Sequence, residues 1–206
     1  MGAAIASDRE GDGDAASRAI ALSDADIREA LRSRLLRQHR LEPDTVYVEE
    51  LGVCRGRVRI DLAVVNGLFH GYEIKSDRDS LRRLAGQIDL YSRVLDRATL
   101  VVGERHLDEA MQLLPVWWSV LRASAGPRGL HFRSVRRGRN NPRRDPRALV
   151  ELLWLDSALE LLVQRDLVRG VRGKPRWVVW ERVCQHFDVD EIAARVREHI
   201  KARSKP

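Results

Sequence analysis

The chain has 206 residues, 44% of them hydrophobic, and its 37 Lys plus Arg outnumber 30 Asp plus Glu for a net charge of +7. That length holds one domain, or one domain with a small appendage, and the apolar share suffices for a core. No stretch reaches the roughly 18–20 apolar residues of a membrane helix, the first residues lack the basic start and apolar centre of a signal peptide, and two cysteines, Cys54 and Cys184, are too few for a disulfide framework or a zinc ribbon.

Residues 1–22 read as a disordered lead-in, with Gly, Ala, Asp and Ser prominent up to Ser17. Ser23 is a candidate N-cap, with Asp24 and Asp26 in the following turn, where the helix dipole favours acids. Ile27, Leu31, Leu35 and Leu36 form a helical stripe to about His39, and Glu42-Pro43-Asp44 stops it. Thr45–Leu51 reads as a strand. Val58–Lys75 reads as a hairpin around the turn signal Asn66-Gly67. Ser76–Ser80 leads into a helix with its stripe on Leu81, Leu84, Ile88 and Leu95. Thr99–Gly103 is a short buried strand, Leu107–Leu114 a helix, and Val116–Ala123 and Leu130–Val135 two strands separated by Gly126-Pro127. This order predicts an α/β fold with a mixed sheet and helices on its faces.

Arg133 to Arg147 carries seven arginines against Asp145, with Gly138, Asn140, Asn141, Pro142 and Pro146 keeping it irregular. The segment 136–147 is a linker or a phosphate-contacting loop, and Arg136, Arg137 and Arg139 are its candidate substrate-binding residues. The sequence pI of about 10.1 fits a nucleic-acid partner, and it equally fits a chain that uses arginine throughout. Residues 148–206 read as a helical C-terminal unit. Pro175 opens a helix carrying Trp177, Trp180 and Val183, and Asp188 with Glu191 forms a capping box for the last helix. Trp154, Trp177 and Trp180 are expected to anchor packing rather than to stack on bases.

The chemistry sits on the hairpin. Its fold-back lets Asp61 meet Glu73, while Glu73 and Lys75, two apart, share one strand face. Two carboxylates beside a lysine can hold a hard cation and handle a water. Glu49 and Glu50 precede them on a strand, only one of the two able to point inward. Gln87 and Tyr91 follow, one turn apart on one helix face. His70 and His106 are lone histidines of structural character.

Glu50-Leu51, Arg59-Ile60-Asp61, Glu73-Ile74-Lys75-Ser76-Asp77, Arg83-Leu84 and Gln87-Ile88-Asp89-Leu90-Tyr91 together resemble the PD-(D/E)XK nuclease superfamily. Gln87 to Tyr91 is similar to the Gln-x-x-x-Tyr motif of its RecB-like branch. The set most resembles the uncharacterised sce7726 family of bacterial and phage proteins. The likeness runs from about Ser23 to Gly103 and extends, less specifically, to Trp154 and Trp177–Glu181. Ile60 stands where that superfamily usually has proline.

The resemblance implies a restriction-endonuclease-like αβββαβ core over residues 23–135. It implies Mg²⁺ or Mn²⁺ held by Asp61, Glu73 and the backbone carbonyl of Ile74, with Glu50 contributing through water. Lys75 would orient the attacking water, Gln87 and Tyr91 would position the reacting groups, and Arg83 would clamp a phosphate. The expectation is a cytoplasmic, metal-dependent nuclease with DNA rather than RNA as substrate, no membrane partner, and a C-terminal unit that grips substrate or a protein partner. Two alternatives stand beside it: a nucleic-acid-binding module of the same fold that does not cut, and an interaction or regulatory protein of a mobile element.

Overall fold

The computed structural model describes residues 22–127 and 129–204, so the N-terminal lead-in lies almost wholly outside the described residues. In chain order the elements are α1 (Asp24–Gln38), β1 (Val46–Val53), β2 (Val58–Val65), β3 (Phe69–Lys75), a single 3-10 turn (Leu81–Arg83) running into α2 (Leu84–Ser92), β4 (Arg97–Gly103), α3 (Leu107–Leu113), β5 (Ser119–Gly126), β6 (Gly129–Arg136), α4 (Pro146–Val150), α5 (Leu155–Gln164), α6 (Arg176–His186) and α7 (Val189–Ser204). The six strands form one sheet in sequence order. Pairing is antiparallel from β1 to β3, parallel from β3 through β5, and antiparallel again to β6. The expected mixed sheet with helices on both faces is what the chain builds.

Local signals explain several element ends. Ser23 and Asp26 close a reciprocal capping box on α1, each backbone N–H lying 3.2 Å from the other's side-chain oxygen. Asp188 and Glu191 do the same at the start of α7. The hairpin forms with the expected strand bounds, but its connection is three residues, Asn66 to Leu68, because Val65 pairs with Phe69. The Asn66 side chain accepts the Leu68 N–H at 3.1 Å, which closes the turn without any positive φ. β5 starts three residues later than the apolar run implied. Trp118 N–H bonds back to Pro115 and the Trp118 ring is fully buried, so that run turns inward before it extends.

Two hydrophobic layers flank the sheet. α1 covers Leu62, Val64, Tyr72, Ile74, Val101 and Ala123 on one face. The other face holds α2 and, in the same continuous cluster, Leu149, Leu161, Val183, Val196 and Ile200 of the C-terminal helices. The helical unit of residues 148–206 therefore has no core of its own. Trp180 belongs to that cluster, whereas Trp154 and Trp177 are 58% and 57% exposed, contrary to the packing role expected for them.

The arginine-rich segment before α4 is tied down at close intervals. Arg139 N–H bonds to the Trp117 carbonyl (2.8 Å), Asn141 N–H to Asp96, and Asp145 N–H to Arg93. The buried Asn141 amide reaches the Ser92 and Leu95 carbonyls at 2.7 and 2.8 Å. Gly138 sits so close that a Cβ there would lie 2.4 Å from the Trp117 carbonyl oxygen. These contacts make the segment, read from sequence as a linker or a phosphate-contacting loop, a strap across the end of α2 and the starts of β4 and β5. Asp96 anchors it from below and takes Arg144 at 2.5 Å, Arg197 at 2.9 Å and the Phe69 N–H at 2.7 Å.

Candidate active site

The site arises where the sheet register breaks. β1 pairs with β2 through Glu49 with Leu62 and Leu51 with Ile60, which places Glu50 opposite Asp61 without a bridge between them. Leu62 pairs with Tyr72, so one step further Asp61 stands opposite Glu73, just beyond the end of the β2–β3 ladder. Glu50, Asp61 and Glu73 thus occupy one row across three adjacent strands. The inside–outside alternation fails at the same row. Leu51 and Ile60 face the α2 side, and Leu62 faces α1. Glu50 has φ of +52°, a left-handed conformation costly for a non-glycine residue. With the ladder interrupted, the Asp61 side chain accepts the Ile74 N–H at 2.7 Å.

Glu73 is the hub. It is 1% exposed, and each of its oxygens is engaged. Oε1 receives Lys75 Nζ in a direct ion pair and the Gln87 Nε2 at 2.6 Å. Oε2 lies 2.6 Å from the Tyr91 hydroxyl, which is also 2.5 Å from the Arg59 carbonyl, so one phenolic proton serves two acceptors in alternation. Burial, then the charge and hydrogen bond of Glu73, push the Tyr91 phenol far up, and it stays a neutral donor. Asp61, Glu73 and Lys75 are brought together as the strand spacing implied, and Gln87 and Tyr91 join them as the resemblance implied.

Burial first, and then the neighbouring Glu73 charge, raise the Asp61 carboxyl to about 7; the Ile74 N–H, Arg28 and Lys75 pull the other way. A carboxyl raised on folding binds more protons folded than unfolded between its ordinary value near 3.8 and about 7. Its contribution to stability is full below that window and is lost as pH rises through it. Melting of the protein in EDTA should therefore fall as pH rises from near 3.8 to about 7, and Asp61→Asn should flatten that segment; equal slopes in both proteins would contradict the assignment.

Sequence reading missed Arg28. From α1 it reaches Glu50 (2.9 Å), the Asp61 carbonyl (2.9 Å) and the Asp61 carboxylate (3.4 Å). Nothing in the local sequence announces a partner so far along the chain; the Asp24–Arg28 pair on the helix is an ordinary i,i+4 signal. Glu50 lines the same cleft as Asp61 and Glu73, and Arg28 and Arg59 take up its half-exposed carboxylate.

A cleft of about 730 Å³ opens over the pair, rimmed by Arg57, Arg59, Arg82 and Arg83. Arg83 lies where the sequence placed it, with Arg82 beside it. Arg136, Arg137 and Arg139 are not part of this cleft. Arg136 donates to the Trp118 and Pro115 carbonyls, each at 2.9 Å, as a structural clamp. His70 is structural as expected: it bonds the Thr99 hydroxyl at 2.8 Å, and burial, with Arg97 nearby, lowers it to about 3.

Among the described residues no three acids, histidines or cysteines form a cation-holding set. Asp61 and Glu73 supply two hard oxygen donors, and the Ile74 carbonyl is the adjacent main-chain oxygen. The buried Gln87 Oε1, which has no hydrogen-bond partner among the described residues, lines the same cleft. This donor set fits Mg²⁺ or Mn²⁺ bound largely through water.

A family model described as Bacteriophage P4 protein cII matches residues 18–206. The chain belongs to the bacteriophage P4 protein cII family. Protein cII of Enterobacteria phage P4 is 28% identical over 118 residues, 57% of this chain and 44% of that protein, so the match spans under half of the relative's length. Among solved structures, the SPO1766 protein of unknown function from Silicibacter pomeroyi is similar at 23% identity and a TM-score of 0.36, covering 64% of this chain and 84% of the other. The cII family match takes in the row of acids, the arginine strap and the C-terminal helices together. Among the described residues of this cII family member, no helix is long and apolar enough to cross a membrane.

Proposed function

We propose that the protein is a divalent-metal-dependent nuclease with a restriction-endonuclease-like core, acting on DNA in the cytoplasm. The observation that carries this reading is the convergence of Asp61, Glu73 and Lys75 with Gln87 in one basic-rimmed cleft. Asp61, Glu73 and the Ile74 carbonyl would hold Mg²⁺ or Mn²⁺, and the bound ion supplies Lewis acidity at the phosphate and a more acidic water. The chain's own residues do the rest. Lys75, 7% exposed, keeps its ammonium beside Glu73 and can donate to a water there and favour its deprotonated form. Gln87 and Tyr91 fix both oxygens of Glu73 in place. The exposed Arg82 and Arg83 offer planar donors to phosphate oxygens at the mouth.

A cleavage panel of linear, nicked, flapped and single-stranded DNA with Mg²⁺, Mn²⁺ or EDTA tests the reading. Cutting in either metal and none in EDTA is the expected result. Binding without cutting in every metal defeats it and favours the second reading, a nucleic-acid-binding module of the same fold that does not cut, while no salt-dependent binding at all favours an interaction or regulatory protein of a mobile element. Those non-cutting readings have their own support. Arg28 and Lys75 already offset the charges of Asp61 and Glu73, and the family match is to a phage protein.

A further inference from the structure

The sheet face covered by α1 is covered only in part. Beyond the helix, a second groove of about 280 Å³ runs over β3 to β6, walled by the C-terminal half of α1. Arg34, Arg97, Arg136 and Arg137 line it, with the Thr99 and Ser134 hydroxyls, and no carboxylate does. Several arginines elsewhere, among them Arg28, Arg93, Arg122, Arg144, Arg165 and Arg195, are paired with acids. In the groove, each anchored guanidinium bonds a neutral oxygen. Arg34 reaches the Phe132 carbonyl at 3.1 Å, Arg97 the Asn140 amide oxygen at 2.8 Å, and Arg136 the Trp118 carbonyl at 2.9 Å. Those bonds hold the forks in position and leave the positive charge uncompensated. Arg137 is exposed and forms no ion pair among the described residues.

We infer that this groove is a second anion site, distinct from the Asp61–Glu73 cleft, that takes backbone phosphates of a single nucleic-acid strand. The two sites share no lining residue but share one helix. Arg28 on α1 serves the cleft and Arg34 the groove, six residues or about 9 Å further along the axis. Fixed guanidinium forks without acidic neighbours suit bidentate phosphate contact. The opening lacks the exposed aromatic platforms that base stacking requires, so backbone contact without sequence preference is the chemistry on offer.

The test is equilibrium binding of a fluorescein-labelled single-stranded oligonucleotide to the full chain in EDTA, where no cutting occurs, so the outcome is independent of what the cleft catalyses. Arg97→Ser/Arg137→Ser should weaken binding by about ten-fold and reduce the salt slope by about 0.7 for each arginine lost. Arg137→Ser alone, which removes no bond that holds the fold, should give part of the same effect with unchanged melting. Unaltered affinity and salt slope in both variants would overturn the inference. So would a melting shift with inorganic phosphate that depends on Arg137 while oligonucleotide binding does not, since that result describes a small-anion pocket.

Discussion

Glu73→Gln should lower metal-dependent DNA cleavage by about a thousand-fold or more, the scale of several kcal/mol of lost electrostatic stabilisation at a reacting centre. The substitution keeps the side chain's size and removes its charge, and it acts at the point where Lys75, Gln87 and Tyr91 all meet. It also leaves the 7%-exposed Lys75 ammonium without its partner. Breaking a buried pair from one side costs about 3–5 kcal/mol, so a loss of melting temperature should accompany the loss of cutting. Glu73→Gln/Lys75→Met removes both charges and should recover much of that stability while remaining inactive. Inactive but stable double-variant protein separates a chemical role from a structural one. Retained cutting in well-purified single-variant protein would remove Glu73 from the mechanism.

Asp96→Ala is the substitution with the largest expected effect on stability alone, about 3–5 kcal/mol by the same reasoning about a buried charge network. Asp96 is 5% exposed and its carboxylate joins three parts of the chain: Phe69 at the start of β3, Arg144 on the strap and Arg197 on α7. Removing it strands the Arg197 guanidinium and the buried Phe69 N–H, and leaves Arg144 with the exposed Asp190 alone. Chemical denaturation measures the loss. Hydrogen exchange should localise it, with the amides of Asn141 and Asp145 on the strap losing protection before those of β4. A fully protected strap in the variant would contradict the anchoring role.

The strands and helices were largely legible because each carries its own local signal: the stripe on α1, the apolar hairpin runs, and the capping boxes at Ser23 and Asp188. The meeting of Asp61, Glu73 and Lys75 was legible from strand pairing and alternation, whereas Gln87 and Tyr91 were joined to them by the family resemblance, helical period showing only that those two share a face. What escaped was set by distance along the chain. Arg28 joins Asp61 from an earlier helix, Asp96 collects partners from 27 to 101 residues away, and no local spacing encodes either. The arginine run misled in a different way. Its Gly and Pro content reads as loose chain, yet backbone bonds to Trp117, Asp96 and Arg93 fasten it. Strand alternation left the choice between Glu49 and Glu50 open; the family resemblance pointed to Glu50, which lines the cleft where alternation breaks.

Because α7 packs back against β1 and β2 and completes the hydrophobic cluster there, the sheet cannot be fully covered until that helix exists. On the ribosome, the strands bearing Glu50, Asp61 and Glu73 emerge well before Val196 and Ile200 are made. Stable folding is thereby deferred to a late moment of translation. A nascent fragment that already carried every reactive side chain would still lack a firm scaffold to aim them.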